Sequence, residues 1–175
     1  MIPARGKAAD EILGELRLRA ARDVDWRRGR VWSLVYHAGE AHEELLRRAH
    51  ALYASANLLN PIAFAGLREL EKEIVEIAGG LMHARAAGTV TSGGTESILC
   101  AVAAYRDRAR RKKPWVLRPE LVVPTTIHPA FDKAAHYFGV RLVKVPVGPD
   151  FRADVRAMAK AIGWRTIGLC ASAPQ

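Results

Sequence analysis

Cysteine is scarce. Cys100 and Cys170 are the two in 175 residues, far apart and not in a CxxC pair. A disulfide framework and a structural zinc site are both excluded on that basis, and a reducing, cytoplasmic address is expected. No stretch approaches the ~18 uncharged apolar residues that a membrane span needs. Met1–Ala8 has no apolar segment of the secretory kind. Internal repeats and low-complexity tracts are absent. None of His37, His42, His50, His83, His128 and His136 forms an i, i+4 pair of the HExxH kind, so no metal site is expected.

Half of the chain is hydrophobic and 26% is charged, a globular composition of a length that supports one ordinary core. The formal charge is +9, mostly from arginine spread along the chain. The one dense run, Arg106–Lys113, suits a helix C-terminus, where cations complement the helix dipole. It comes without an RNP-like, zinc-finger or helix-turn-helix signature. It therefore reads as a solvated helix end, and no nucleic-acid partner is expected.

Hydrophobic spacing predicts helices over 7–22, with Ile12, Leu13, Leu16 and Ala20 on one side, and over 40–55, with Leu45, Leu46, Ala49 and Leu52 inward. Val31–Tyr36 is a short apolar run suited to an extended arm. Asn60-Pro61 is a stop signal. A third helix is predicted over 65–83, where Leu67, Leu70, Ile74, Ile77 and Leu81 recur at steps of three and four. From Gly88 the rhythm changes. Strands are predicted at 89–91, 121–124, 140–147 and 166–171, and helices at 95–111, 128–138 (closed by Gly139) and 153–162 (closed by Gly163). Such alternation implies crossover connections and a largely parallel sheet. The fold class is α/β: a helical arm or dimerisation segment, 1–85, followed by part of a helix-flanked parallel sheet, 86–175. The chain stops at Ala173-Pro174-Gln175, just after a strand expected to be central, so the sequence looks cut. Trp26, Trp32, Trp115 and Trp164 read as packing residues. Asp132 and Lys133 read as an exposed or locally paired couple.

Two places could carry chemistry. Thr91-Ser92-Gly93-Gly94-Thr95-Glu96-Ser97 joins a predicted strand to a predicted helix. Glycines let a backbone approach a ligand closely, and a helix N-terminus offers free N–H groups and a positive dipole end to a phosphate. It is neither a Walker loop nor GxGxxG, and a plain turn with Thr95 as N-cap is the alternative. His128 follows Pro124-Thr125-Thr126-Ile127 at a strand-to-helix transition. In an open α/β sheet ligands bind at the carboxyl ends of the strands, an edge His128 and Gly93-Gly94 should share. A flat imidazole there could stack on an aromatic cofactor, or simply cap the helix.

These residues carry a family resemblance. Thr91–Ser97 with Ile98-Leu99 and Ala104–Asp107, then His128–Ala135, Tyr137–Gly139, Asp154–Met158 and Ser172–Gln175, resemble the sphingosine-1-phosphate lyases of the fold type I pyridoxal-phosphate decarboxylase family. Upstream, Gly29–Val31, Val35-Tyr36, Asn57, Pro61, Phe64 and Gly66–Arg68 fall in register. The resemblance covers about 29–175 and points to the N-terminal part of such an enzyme. It implies pyridoxal 5'-phosphate as cofactor, with Gly94 and Thr95 on its phosphate and His128 stacked on its ring. Tyr36, Asn57 and the neighbouring Asn60 would serve the substrate phosphate, reached across a homodimer interface. The implied reaction cleaves a phosphorylated long-chain amino alcohol into a fatty aldehyde and phosphoethanolamine.

The chain departs from the family at Trp32-Ser33-Leu34, where smaller residues are usual, at Asn60, where the family has histidine, and at Pro129, where alanine is usual. The family's Schiff-base lysine falls beyond Gln175. None of Lys7, Lys72, Lys112, Lys113, Lys133, Lys144 and Lys160 matches it, so no catalytic residue is assigned. The chain by itself is expected to be inactive, needing a complementary C-terminal polypeptide, and to associate through exposed apolar surface. The alternatives are a fragment of a pyridoxal-phosphate amino-acid decarboxylase, or a non-catalytic phosphate-binding or interaction protein.

Overall fold

Leu121, Val122 and Val123 form an unbroken apolar triplet, and such a strand is stable only when both of its faces are covered. The computed structural model, which describes residues 4–172, places this triplet at the centre of a parallel sheet. The Ala173–Gln175 end of the resemblance, and Met1–Pro3 at the N-terminus, lie outside the described residues. Chain contacts divide the protein into two compact units, up to Glu69 and from Leu70 onward.

The sheet belongs to the second unit. Its strands are β1 (Glu120–Pro124), β2 (Arg141–Val145) and β3 (Thr166–Leu169), in the order β2-β1-β3 and all parallel. Side chains alternate across a strand, so Leu121 and Val123 face one layer and Val122 the other. Leu121 and Val123 pack with Val102, Ile127, Ala134 and Val140, joined by Ile98, Leu99 and Phe131. That layer is built by helices α4 (Gly94–Lys112) and α5 (Ala130–Phe138). Val122 packs with Val145 and Met158, joined by Ala153, Ala157 and Ala161, around helix α6 (Val155–Lys160). Among the described residues every buried hydrophobic side chain of the core lies between Val102 and Met158. Each β1 side chain removed from water contributes ~1.5–3 kcal/mol before entropy is counted.

Several details differ from the sequence expectations. No strand forms at 89–91: Glu71 takes the Thr89 hydroxyl (2.5 Å) and the Val90 amide (2.9 Å), which removes a ladder donor. β3 is an edge strand of the described sheet, and β1 is the central one. α5 begins two residues later than expected, with His128 outside the helix and Pro129 at its N-cap. Gly139 closes α5 in the left-handed conformation, as expected (φ 64°). α6 is shorter than predicted. Asp154 caps it by accepting from the Ala157 amide (2.9 Å), and Ala161 rather than Gly163 ends it. Asp132 pairs with Lys144 on β2 (2.7 Å) rather than with Lys133, which lies over the Tyr137 ring.

The first unit contains α1 (Ala9–Ala20), a 3-10 turn at Trp26–Arg28, α2 (Glu40–Tyr53) and the start of α3 (Ala65–Leu81), which crosses into the second unit. The helices form where the periodicity predicts. The stripe over 40–55 does not face inward as expected, and those of α1 and α3 are open too. Ile12, Leu13 and Leu16 on α1, Leu45, Leu46 and Leu52 on α2, and Leu70, Ile74, Ile77 and Leu81 on α3 are all exposed. Local polar contacts organise the segment instead. Lys7 binds Glu11 and Glu15. Glu43 holds Arg27 (3.1 Å) and His37 (2.9 Å), while the Trp26 ring meets His37 edge-on and Arg27 over its face. Of the tryptophans, Trp26 is half-buried, whereas Trp32, Trp115 and Trp164 are exposed, against the packing role expected. Residues 31–36 form no regular element, and Ser33 and Leu34 both carry positive φ.

Candidate functional site

α4 orients the site. Its C-terminal half, with Tyr105, Arg108, Ala109 and Lys112, borders Thr166 and Ile167 at the start of β3. The helix therefore runs against the strands, and its N-terminus lies toward their carboxyl edge. His128 follows β1 at that same edge. Ile98 and Leu99, in the first turns of α4, share one apolar cluster with Ile127 and Phe131, the residues that bracket His128. The Gly93-Gly94 turn and His128 are thus brought to one side of the sheet.

Within the loop, hydrogen bonds set the backbone. Thr91 Oγ1 is 2.6 Å from Ser97 Oγ and donates to the Gly93 carbonyl (3.1 Å). Glu96 accepts from both the Ser92 amide (2.6 Å) and the Ser92 hydroxyl (2.7 Å). These two bonds hold the Glu96 carboxyl below its ordinary value, the hydroxyl contributing most. The Ser97 amide closes the first helical turn onto Gly93 (3.1 Å). Gly93, not Thr95, is the N-cap, and no side chain caps the helix. Space is open where a Cβ would stand on Gly93 and on Gly94. The Gly94 and Thr95 amides therefore remain available at the positive end of a 19-residue helix.

His128 Nδ1 accepts from the Ala130 amide (3.1 Å). This bond requires Nδ1 to be unprotonated and fixes the ring against the start of α5, while the residue remains exposed. The capping and the stacking roles are compatible, since the bond uses the ring edge and leaves its faces. Such an arrangement fits a phosphorylated aromatic cofactor: free amides and a hydroxyl for the phosphate, and a fixed ring for stacking.

Tyr36, Asn57 and Asn60 belong to the first unit. Tyr36 is 94% exposed. Asn57 Oδ1 accepts from the Leu59 amide (3.0 Å) and Asn60 Oδ1 from the Ala63 amide (3.1 Å), so both shape turns. Lys7, Lys72 and Lys144 are held in ion pairs, with Glu11 and Glu15, Glu76 and Asp132 respectively. Among the described residues no group of three or more His, Cys, Asp or Glu could hold a metal, and no helix is long and apolar enough to cross a membrane. Two residues that the sequence reading passed over matter here. Glu96 sits at the third helical position, where a capping-box carboxylate reaches back to free backbone donors, and that placement was readable. Glu71 acts across eighteen residues, and no local pattern announces it.

No family model matches the chain. Sphingosine-1-phosphate lyase 1 of Rattus norvegicus is 44% identical over 176 residues, covering 99% of this chain and 31% of the relative. The Dictyostelium discoideum sphingosine-1-phosphate lyase is 38% identical, with 98% and 33% covered. A probable L-aspartate decarboxylase of Pyrococcus furiosus is 30% identical over 95% of this chain and 43% of its own length. Among solved structures, the Burkholderia pseudomallei sphingosine-1-phosphate lyase superposes with a TM-score of 0.87 at 33% identity, covering 97% of this chain and 41% of that one. Lactobacillus brevis glutamate decarboxylase, at 20% identity and a TM-score of 0.74, shares the fold. The chain spans about a third of the length of the curated lyases it matches. Over that third it is a homologue of the sphingosine-1-phosphate lyases, a branch of the fold type I pyridoxal-phosphate-dependent decarboxylase family.

Proposed function

We propose that this chain forms the phosphate-binding and ring-stacking half of a pyridoxal 5'-phosphate site in a carbon–carbon lyase of the sphingosine-1-phosphate type. The uncapped N-terminus of α4 at Gly94-Thr95, at one edge of the sheet with His128, carries this reading. Gly94 and Thr95 bind the cofactor phosphate through amides and the Thr95 hydroxyl. Glu96 occupies Ser92 and keeps the turn in shape. His128, anchored through Nδ1, stacks on the pyridine ring. Bound there, the cofactor supplies the electron sink for cleavage of a phosphorylated long-chain amino alcohol. Tyr36, Asn57 and Asn60, on the 1–85 arm, serve the substrate phosphate within a homodimer or beside a complementary polypeptide that completes the site.

The test is a titration of the purified chain with pyridoxal phosphate and, in parallel, pyridoxal, each followed by borohydride reduction and peptide mass mapping. Saturable binding that needs the phosphate, and that falls about tenfold or more in Thr95→Ala and His128→Ala, is the expected result. Equal binding of the two compounds, or no binding, sinks the reading. A single adduct at one lysine would assign that lysine to the site and overturn the expectation that none of the seven serves.

A second reading, decarboxylation of an amino acid, is favoured by Asn60. It lacks the titratable donor that a histidine would offer a substrate phosphate, although its Nδ2, opposite the Oδ1 that takes the Ala63 amide, can still donate. Product analysis with both substrate classes, in the completed enzyme, separates the two.

A further inference from the structure

We propose that the amino edge of the sheet, opposite the His128 edge, is a docking surface for an anionic lipid bilayer. Arg118 precedes β1, Arg141 opens β2 and Arg165 precedes β3, and these three line one shallow depression with Glu120, Gly139 and Val140. The Arg165 carbonyl accepts from the Glu120 amide (2.9 Å), which brings the strand starts together. The C-terminal turns of α4 add Arg108, Lys112 and Lys113, beside Thr166. Against these cations stands one carboxylate, Glu120, at 3.7 Å from Arg141. Among the described residues Arg108, Lys112, Lys113 and Arg118 have no ion-pair partner.

The helix dipole explains part of this charge, because cations suit the last turn of α4. It does not explain Arg118, Arg141 and Arg165, which stand at strand starts.

The same edge displays apolar side chains. After α4 the chain is pinned by Val116, 5% exposed, and by buried Pro119, while Trp115 and Leu117 between and beside them are 66% and 87% exposed. The Val116 amide bonds to the Lys113 carbonyl (2.9 Å), so the turn that presents Trp115 is closed. Trp164 is exposed too, with the Arg165 guanidinium 4.7 Å from its ring centre. Cations with interleaved tryptophan and an aliphatic tip are the combination that anchors at a charged membrane interface. Exposed leucine favours a bilayer over a nucleic acid, which would use the cations and rings but not Leu117.

The experiment is co-sedimentation of the full chain with vesicles of phosphatidylcholine alone or mixed with phosphatidylglycerol, across a salt series. The expected result is at least about tenfold stronger binding to the mixed vesicles, weakening with salt. Combined Lys112→Glu, Lys113→Glu and Arg118→Glu should abolish it. Leu117→Ser, at a side chain that is almost fully exposed, should weaken it severalfold while the salt slope persists. Thermal melts of both variants check folding. Equal binding to neutral vesicles, no binding at low salt, unchanged binding by the folded charge-reversal or Leu117 variant, or binding to single-stranded RNA at salt that releases the vesicles, overturns the proposal. Pyridoxal-phosphate titration of the same samples reports on the opposite edge.

Discussion

Glu96 and Glu71 do for the cofactor loop what a sheet ladder does for β1: they satisfy backbone donors in a segment with no strand partner. Both carboxyls are held below the ordinary glutamate value, Glu96 by the Ser92 hydroxyl and amide, Glu71 by the Thr89 hydroxyl and the Val90 amide. A depressed folded value means that the contribution is fully present above the unfolded value of 4.5 and is lost as pH falls through the folded one. Glu96 is exposed and Glu71 half-buried, and both act on a loop, so the effect is local ordering rather than global stability. Amide exchange read at Ser92 and Val90 should therefore show protection at neutral pH that declines below about pH 4. Glu96→Gln should accelerate Ser92 exchange at neutral pH, leaving Val90 unchanged. Equal rates in the variant and the parent would mean that the carboxylate does not hold the turn. At this level the glycines, Thr95 and His128 were legible because they interrupt a pattern. Glu71 was not, because its partners are distant in sequence.

Elements were legible where periodicity is strong, in α2, α3 and α4, and where an apolar triplet demands burial, in β1. Ends were less so. The helix predicted over 153–162 starts two residues later, capped by Asp154, and its early end at Ala161 owes nothing to Gly163. The predicted strand at 89–91 has the right composition and fails for want of a neighbour, since a strand exists only through pairing. The α3 terminus offers a sharp contrast between adjacent glycines. A Cβ on Gly79 would stand 2.7 Å from Ala86 Cβ and 2.8 Å from the Ala84 carbonyl oxygen, whereas one on Gly80 meets nothing within 4 Å. Gly79→Ala should cost ~1–3 kcal/mol, as overpacking does. Gly80→Ala should add up to ~1 kcal/mol, because alanine is the better helix former. Chemical denaturation of the two variants checks this, and a shared sign would show that the turn at 84–86 does not pack on α3.

For the assembled protein, exposed apolar surface is the dominant physical fact. Leu45, Leu52, Ile74, Ile77, Leu81 and the arm residues Trp32 and Leu34 all face solvent. Isolated apolar side chains on a surface are ordinary, but continuous helical stripes of them mark contact surfaces. Sedimentation velocity should show self-association that grows with protein concentration, and Ile74→Glu with Ile77→Glu should reduce it. A single monomeric species across the accessible range would contradict the expectation. The sequence periodicity identified these faces as apolar, and its inward placement of the 40–55 stripe does not hold. Periodicity reports that a face avoids water, and does not say whether the same chain or another one covers it.

The two cysteines end up in contrasting settings. Cys100, on α4, is exposed, while Cys170, just past β3, packs against the Leu121 cluster, and burial pushes its thiol up. They form a built-in pair of alkylation clocks. With a maleimide near neutral pH, Cys100 is open to the reagent and should label first. Cys170, half-buried and with its thiol pushed up, should label more slowly, and the narrowing of that gap in mild denaturant follows the loosening of the cluster around it.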